Sequence, residues 1–215
     1  MAADCDIPVE HWELPGEPFR LAAIAVAAAD WELRLSSSAR EKIRRFMDPA
    51  ARHRAGASEW FKTCWLPRQL GSDRVEFQTG NNGKPLLTGS AAEWGFNLSH
   101  AGEYAVAVLA RGVSIGVDLE SMSRPADVER LGERVFSGSE QALVRAGGRE
   151  AFFTLWSQKE ALLKALGCGW ADGGIVRRTR LERIPYQVEP ATGIQLWSRN
   201  VVGGAYALAI AIMAS

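Results

Sequence analysis

Two stretches about one hundred positions apart, Tyr104-Ala105-Val106-Ala107-Val108 and Tyr206-Ala207-Leu208-Ala209-Ile210, share one alternation: a small residue, then a β-branched residue or leucine. A period of two assigns each stretch to a strand with one slim face and one bulky face. Each strand lies in a half of the chain that also carries helical and short extended segments. The echo suggests two lobes of similar build, the plainer alternative being two unrelated core strands rich in alanine. With 215 residues and 47% apolar side chains, the chain can build one large domain or two small lobes. The division is expected after Ala110, giving an N-terminal lobe over 1–110 and a C-terminal lobe over 111–215.

Local signals place the other elements. Residues 19–26 read as a strand entering the core. Ser38 with Glu41 resembles a capping box, and the pattern after it is helical to about residue 70, interrupted near Asp48-Pro49 and ended by Pro67. Residues 75–78 and 96–98 read as short strands, separated by the turn signal Gly80-Asn81-Asn82-Gly83. Residues 104–109 and 113–119 flank Ala110-Arg111-Gly112 and predict a β-hairpin. Helical texture follows over 126–143 and 150–166, with Gly167 and Gly169 suited to a C-cap, before strands near 194–198 and 206–212.

Charge and cysteine usage exclude several classes. Twenty-five basic and twenty-five acidic side chains sum to zero, which argues against a nucleic-acid binder held by net electrostatics, so an anionic ligand must be met locally. Five of the basic residues are lysines: Lys42, Lys62, Lys84, Lys159 and Lys164. Cys5, Cys64 and Cys168 are odd in number and widely spaced, which fits a reducing compartment and neither a disulfide framework nor a thiolate zinc site. Asp4, Asp6 and Glu10 precede any basic residue, unlike a secretory signal. The apolar runs 21–29 and 205–214 fall short of the roughly 20 residues a membrane helix needs. A soluble, cytoplasmic protein without membrane association is expected.

Chemistry concentrates in two places. Along residues 113–120, alternation sends Val113, Ile115, Val117 and Leu119 to one face and leaves Asp118 and Glu120 together on the other, about 6.5–7 Å apart. Like charges so close repel unless a cation sits near them. With no histidine or cysteine in the cluster, a hard ion, Mg²⁺ or Mn²⁺, suits the pair. By itself the pair also reads as a solvated strand end. Residues 152–167 form an amphipathic helix on which Trp156, Glu160 and Lys164 follow one another at four-residue steps. In isolation Glu160 and Lys164 are an ordinary surface pair. If the helix lies across the strand, Asp118, Glu120 and Glu160 supply three oxygen ligands, and Lys164 stands beside whatever anion the metal binds.

Four motifs then fall into register: Gly116-Val117-Asp118-Leu119-Glu120, Trp156-Ser157-Gln158-Lys159-Glu160-Ala161 with Lys164 and Gly167, Asn82-Gly83-Lys84-Pro85, and Phe96-Asn97-Leu98-Ser99-His100. In order and spacing the chain resembles the 4′-phosphopantetheinyl transferases of the surfactin-synthetase-activating (Sfp) type over about residues 36–214. The resemblance implies a monomeric enzyme with an α+β fold of two similar lobes related by a pseudo-twofold axis, consistent with the strand echo, and its active site between them. It implies transfer of the 4′-phosphopantetheine arm of coenzyme A to a serine of an apo acyl or peptidyl carrier protein, with Mg²⁺, releasing adenosine 3′,5′-bisphosphate. Asp118, Glu120 and Glu160 then correspond to the metal-binding acids, and Glu160 or a metal-bound water to the general base. Lys164 corresponds to the catalytic lysine on the coenzyme's diphosphate. Lys42, Arg54, Lys84, Ser99, His100 and Lys159 join Lys164 as expected coenzyme contacts.

Departures and rival readings accompany this. Ala39 and Ala55 stand where relatives carry a basic and a hydroxyl residue, and Trp170 replaces a smaller apolar residue with an expected effect on packing only. Ser99-His100 invites an acyl hydrolase reading. However, neighbours on an extended chain point to opposite faces, and no Gly-x-Ser-x-Gly elbow surrounds Ser99. A non-catalytic nucleotide-binding module is disfavoured by the presence of all three acids and Lys164. Arg124, Arg130 and Arg134 are candidate contacts for an acidic carrier surface.

Overall fold

Alternating bulk on the two echoing strands sets the layers of the molecule. The computed structural model describes residue 12 and residues 18–26, 30–170, 186–189 and 193–214. Cys5 and the acidic start of the chain lie outside the described residues. Strand β1 (Phe19–Ala25) is followed by helices α1 (Trp31–Arg34), α2 (Ser37–Arg44), α3 (Pro49–Trp60) and α4 (Leu66–Leu70). Next come a small ribbon of β2 (Phe77–Thr79) with β3 (Pro85–Leu87), and then β4 (Trp94–Ala101), β5 (Tyr104–Arg111) and β6 (Val113–Ser121). Helices α5 (Val128–Val135) and α6 (Gly138–Leu166) lead to β7 (Tyr186–Glu189), β8 (Ile194–Val201) and β9 (Tyr206–Ala214). One antiparallel sheet has the order β1-β5-β4, the other β6-β9-β8-β7.

The echo has the same meaning in both sheets. Ala105, Ala107 and Leu109 of β5 join Ile24, Trp60, Phe61 and Leu66 in a core under the N-terminal helices. Ala207, Ala209 and Ala211 of β9 join Phe152, Phe153, Leu155 and Leu162 under α6. The bulky positions, Val106 and Val108 on one strand and Leu208, Ile210 and Ile212 on the other, meet Ile115, Val117 and Leu119 in a third core between the sheets. Slim faces thus admit helices and bulky faces fill the intersheet layer. Tyr104 and Tyr206 open the two strands and pack edge to face, 5.3 Å between ring centres.

Several expected elements take a different form. The predicted hairpin does not form: β5 pairs with β1 and β4, and β6 with β9, so the chain changes sheets at Gly112, where φ is +70°. A glycine with positive φ serves a sheet switch as well as a hairpin, and the pairing partner 100 residues away decides between them. The cap of α2 is Ser36, whose side chain accepts from the Ala39 amide, and not Ser38. Pro67 does not end the helical run. It sits inside α4 after a wide turn, Phe61–Trp65, in which the Leu66 amide reaches back to the Phe61 carbonyl, and the run stops at Gly71 in the left-handed conformation. The interruption read near Asp48-Pro49 is a new helix start, with Asp48 capping α3, and Gly167 caps α6 as the sequence indicated.

Helix α6 folds back on itself. Gly148 has non-helical angles (φ 61°, ψ −142°), and the Lys159 ammonium pairs with Glu140 at 3.0 Å. Nineteen residues of straight helix would separate these two by about 28 Å. The arms 138–147 and 149–166 therefore run against each other, with the ion pair fully buried between them. Glu140 also closes a capping box with Ser137 at the start of the first arm.

Candidate active site

A glycine allows the site to form. Gly116, Asp118 and Glu120 share the face of β6 that receives α6, while Ile115, Val117 and Leu119 face the intersheet core. A Cβ on Gly116 would stand 2.1 Å from the Ala161 carbonyl oxygen and 2.4 Å from the Ala165 nitrogen. No other residue lets the helix cross the strand this closely, and the crossing brings Lys164 onto Asp118. The Lys164 ammonium donates to Asp118 Oδ1 at 2.7 Å, to Ser99 Oγ at 3.0 Å and to the Val117 carbonyl at 3.1 Å. Ser99 in turn donates to Asp118 Oδ1 and accepts from the Leu119 amide, while the Asn97 side chain accepts from the Val117 amide. Side chains of β4 thus take the β6 amides that point away from β9. The two sheets and α6 meet at one buried carboxylate.

The three acids lie within electrostatic reach of one another but do not share one point. Each has its own partners: Lys164 donates to Asp118, Glu120 pairs by charge with Arg124 (3.1 Å) and accepts a hydrogen bond from Trp156, and the Trp170 indole N–H donates to Glu160 Oε1 (2.6 Å). Among the described residues, no three His, Cys, Asp or Glu side chains are grouped so that they could hold an ion. The expected convergence of Asp118, Glu120 and Glu160 on a single ion is therefore not the arrangement seen. In kind, however, the residues fit a hard divalent cation. Asp118 Oδ2 is buried without a hydrogen-bond partner, and all the acids are oxygen donors. Burial, then repulsion from Asp118, raises Glu120 to about 7 despite Arg124. The same two causes raise Glu160 against Trp170, Lys164 and Arg124, and burial raises Asp118 against Lys164 and Ser99. Charge placed among these groups by a cation would relieve all three.

The expected phosphate-binding residues gather elsewhere along the same face. Lys42, Arg54 and His100 line one cavity of about 540 Å³ with Phe46, Glu59 and Lys62. A second cavity of about 700 Å³ shares the Lys42-Glu59-Lys62 wall and extends to Gly83 and Pro85. Lys42 and Lys62 both pair with Glu59, at 3.2 and 3.4 Å, and Arg54 approaches Asp48 at 3.7 Å. Burial of the inner edge of His100 lowers its pKa, and the positive charges of Arg54 and Lys164 add to this. The imidazole thus links the basic cavity to Lys164. Lys62, one of the five lysines but outside the family motifs, joins this wall from the wide turn that follows α3.

Three expected coenzyme contacts are placed otherwise: Lys84, Lys159 and Ser99, the last buried between Asp118, Lys164 and the Leu119 amide. Lys84 donates to the carbonyls of Ile115, Lys164 and Ala165, so its ammonium serves the C-terminal end of α6, and burial lowers its pKa to about 8. Lys159 is buried in the ion pair with Glu140, with no exposed surface from which to reach a coenzyme. Trp170 is more than a packing substitution, since it holds Glu160 and stacks near Trp156, 5.2 Å between ring centres. Arg124 turns inward over Phe153 and Trp156, whereas Arg130 and Arg134 lie on α5. Ser99 is buried and His100 exposed, the opposite facing expected of neighbours on a strand, and Ser99 is bound to a carboxylate and an ammonium and not to the imidazole.

Comparison with known proteins places the chain in a family. The model of the 4′-phosphopantetheinyl transferase superfamily matches residues 114–211, which include Asp118, Glu120, Glu160 and Lys164. The chain is 34% identical over 165 residues to the 4′-phosphopantetheinyl transferase HetI of Nostoc sp., covering 73% of this chain and 68% of that protein. It is 30% identical over 138 residues to the L-aminoadipate-semialdehyde dehydrogenase-phosphopantetheinyl transferase of Xenopus laevis, covering 58% and 43%. It is 30% identical over 141 residues to the 4′-phosphopantetheinyl transferase Sfp of Bacillus subtilis, covering 63% and 61%. The chain thus spans between 43% and 68% of the length of these relatives. On the strength of this match and of the residues it covers, the chain belongs to the 4′-phosphopantetheinyl transferase superfamily.

Proposed function

We propose that this protein transfers the 4′-phosphopantetheine arm of coenzyme A to a serine of an apo acyl or peptidyl carrier protein, with Mg²⁺ or Mn²⁺, releasing adenosine 3′,5′-bisphosphate. The observation that carries the proposal is the crossing of α6 over β6 at Gly116, which brings Glu160 and Lys164 to the Asp118–Glu120 pair. The matched alternation of β5 and β9 supports two lobes divided near residue 110 and related by a pseudo-twofold axis, with the coenzyme between them. One chain then supplies both lobes, as a monomer. Among the described residues no helix is long and apolar enough to cross a membrane, and a cytoplasmic location follows from the reaction.

In this reading the basic cavity takes the nucleotide end of the coenzyme, with Lys42, Arg54 and His100 facing its phosphates. The diphosphate then reaches the acidic end, where Asp118, Glu120 and Glu160 would hold the divalent ion. When bound, the ion supplies Lewis-acid neutralisation of the diphosphate charge. The carrier serine oxygen forms a bond to the β-phosphorus, the bond from that phosphorus to the bridging oxygen breaks, and the bisphosphate departs with the electron pair. Glu160, whose carboxylate is oriented by the Trp170 indole, accepts the serine proton. Lys164 is held at the junction of both sheets and stabilises the charge that builds on the departing oxygen. Ser99 and Lys84 support Lys164, the first by accepting from its ammonium and the second by fixing the helix end from which it projects. The test incubates the protein with coenzyme A and a panel of apo carrier proteins, with Mg²⁺ or with chelator. Mass spectrometry should show one phosphopantetheine added per carrier with Mg²⁺ alone. Unmodified carriers throughout the panel, despite measurable coenzyme binding, would instead favour the binding module.

A further inference from the structure

Arg124 touches the acidic site in a way that Lys164 does not. The Lys164 ammonium finds three acceptors and leaves Asp118 Oδ2 untouched. The Arg124 guanidinium lies 3.1 Å from Glu120 Oε2, 5.4 Å from the centre of the Phe153 ring and 5.8 Å from that of Trp156. Its Nε and Nη2 are nevertheless buried without a hydrogen-bond partner, so it is held to Glu120 by charge and to the rings by stacking, without an aligned hydrogen bond. The backbone beneath it is pinned: Arg149 donates to the carbonyls of Met122, Arg124 and Ala126 and stacks on Phe153. Only the Arg124 side chain is left to move, and at 41% exposure it already has a route to solvent.

We infer that Arg124 is an internal counter-ion that occupies Glu120 until the divalent cation arrives and must be released for the ion to bind. The inference rests on the assignment of Asp118, Glu120 and Glu160 to that ion. A guanidinium and a divalent ion on one carboxylate repel each other, and the unpartnered Oδ2 of Asp118 can receive the ion without disturbing Lys164, which is bound to Oδ1. The weakly anchored cation therefore yields and the well-anchored one stays. Arg124 thus weakens metal binding in the free protein, and it stabilises the same protein by neutralising Glu120 while the ion is absent.

The test is calorimetric titration of Mn²⁺ into the full-length, chelator-treated protein without coenzyme, paired with thermal melts. Arg124→Met keeps the stacking on Phe153 and Trp156 and loses the charge. It should bind Mn²⁺ about tenfold more tightly than wild type, and should melt lower in chelator but no lower with saturating Mn²⁺. Arg124→Gln serves as a second neutral variant, and Arg124→Lys, which keeps the charge, should stay near wild-type affinity. Equal or weaker binding in the neutral variants overturns the inference. Asp118→Asn separates the two layers of the argument. If it loses Mn²⁺ while Arg124→Met is unchanged, only the role of Arg124 falls. If it binds like wild type, the metal assignment falls and takes the inference with it.

Discussion

At the carboxylate end of the site, β4, β6 and α6 meet around Asp118, which is 5% exposed, and every donor and acceptor there comes from a distant part of the chain. At the basic end, Lys42, Arg54 and Lys62 stand on or just after α2 and α3, with Lys42 63% exposed and paired with a glutamate on the next helix. Surface pairs of the second kind are worth about 0–1 kcal/mol and exchange partners easily. A phosphate can replace Glu59 at little cost. Buried carboxylates of the first kind are held by a network in which removing one member leaves another unsatisfied. The comparison implies that substitutions at the acidic end act on chemistry and stability together, and that substitutions at the basic end act on coenzyme affinity alone.

The largest effect that could break this contrast is expected at Asp118 and Glu160. Asp118→Ala or Glu160→Ala should lower transfer, measured as kcat/KM on an apo carrier, by more than about 100-fold with the fold intact by circular dichroism. Near-normal turnover in either would remove the acidic end from the chemistry. Lys164→Ala follows. It should lower kcat far more than it raises the KM for coenzyme A, and should also lower the melting temperature, because the buried Asp118 carboxylate loses its partner. A change confined to KM would make Lys164 a binding contact like those of the basic cavity. The third effect needs no substitution. Burial and Asp118 raise Glu120 from 4.5 to about 7. An acid raised in the folded state contributes stability that is whole below 4.5 and is lost as pH rises through about 7. Chelator-treated protein should therefore melt about 3–6 °C lower near pH 8 than near pH 5.5, and saturating Mg²⁺ should flatten the difference. A melting temperature that rises with pH would contradict the arrangement of charges.

How much of this was legible in the sequence follows the same division. Alternation along β6 put Asp118 and Glu120 on one face because period two is a property of the strand itself, and four-residue steps put Glu160 and Lys164 on one helix face for the same reason. The residues of the basic cavity, Lys42, Arg54 and His100, were marked only by the family resemblance, since no local pattern joins two helices to the end of β4. Residues whose surroundings depend on a remote partner are the least legible. Lys84 reads as a free cation in a turn, and only the nearby end of α6 makes it a structural donor. Lys159 follows Leu155 by four positions and precedes Leu162 and Leu163 by three and four, so it stands on the apolar stripe of its helix. That spacing could have marked it as buried without showing that Glu140 would neutralise it. The hairpin failed because local turn chemistry is the same whether the next strand returns to its neighbour or joins another sheet.

Smaller effects sharpen the comparison. Arg54→Ala should raise the KM for coenzyme A about tenfold, as expected for one charged contact to a phosphate, and leave kcat and the melting temperature near wild type. A large loss of kcat would show that the basic end is coupled to the chemistry, through His100 and Lys164.

Trp170 gives the finest test, because its two contacts can be separated. Its indole N–H donates to Glu160 at 2.6 Å, and its ring lies 5.2 Å from that of Trp156, which stacks on Phe152. Trp170→Phe keeps a ring against Trp156 and removes only the donor. Trp170→Leu removes both. If the hydrogen bond orients the carboxylate that takes the serine proton, the phenylalanine variant should lose about 3–10-fold in kcat, with coenzyme KM and melting temperature unchanged, and the leucine variant should lose more of each. If Trp170 only fills space, phenylalanine should restore full activity while leucine does not. The acidic end would then extend no further than its charged residues, since the buried network would stop at Glu160 instead of reaching the aromatic layer behind it.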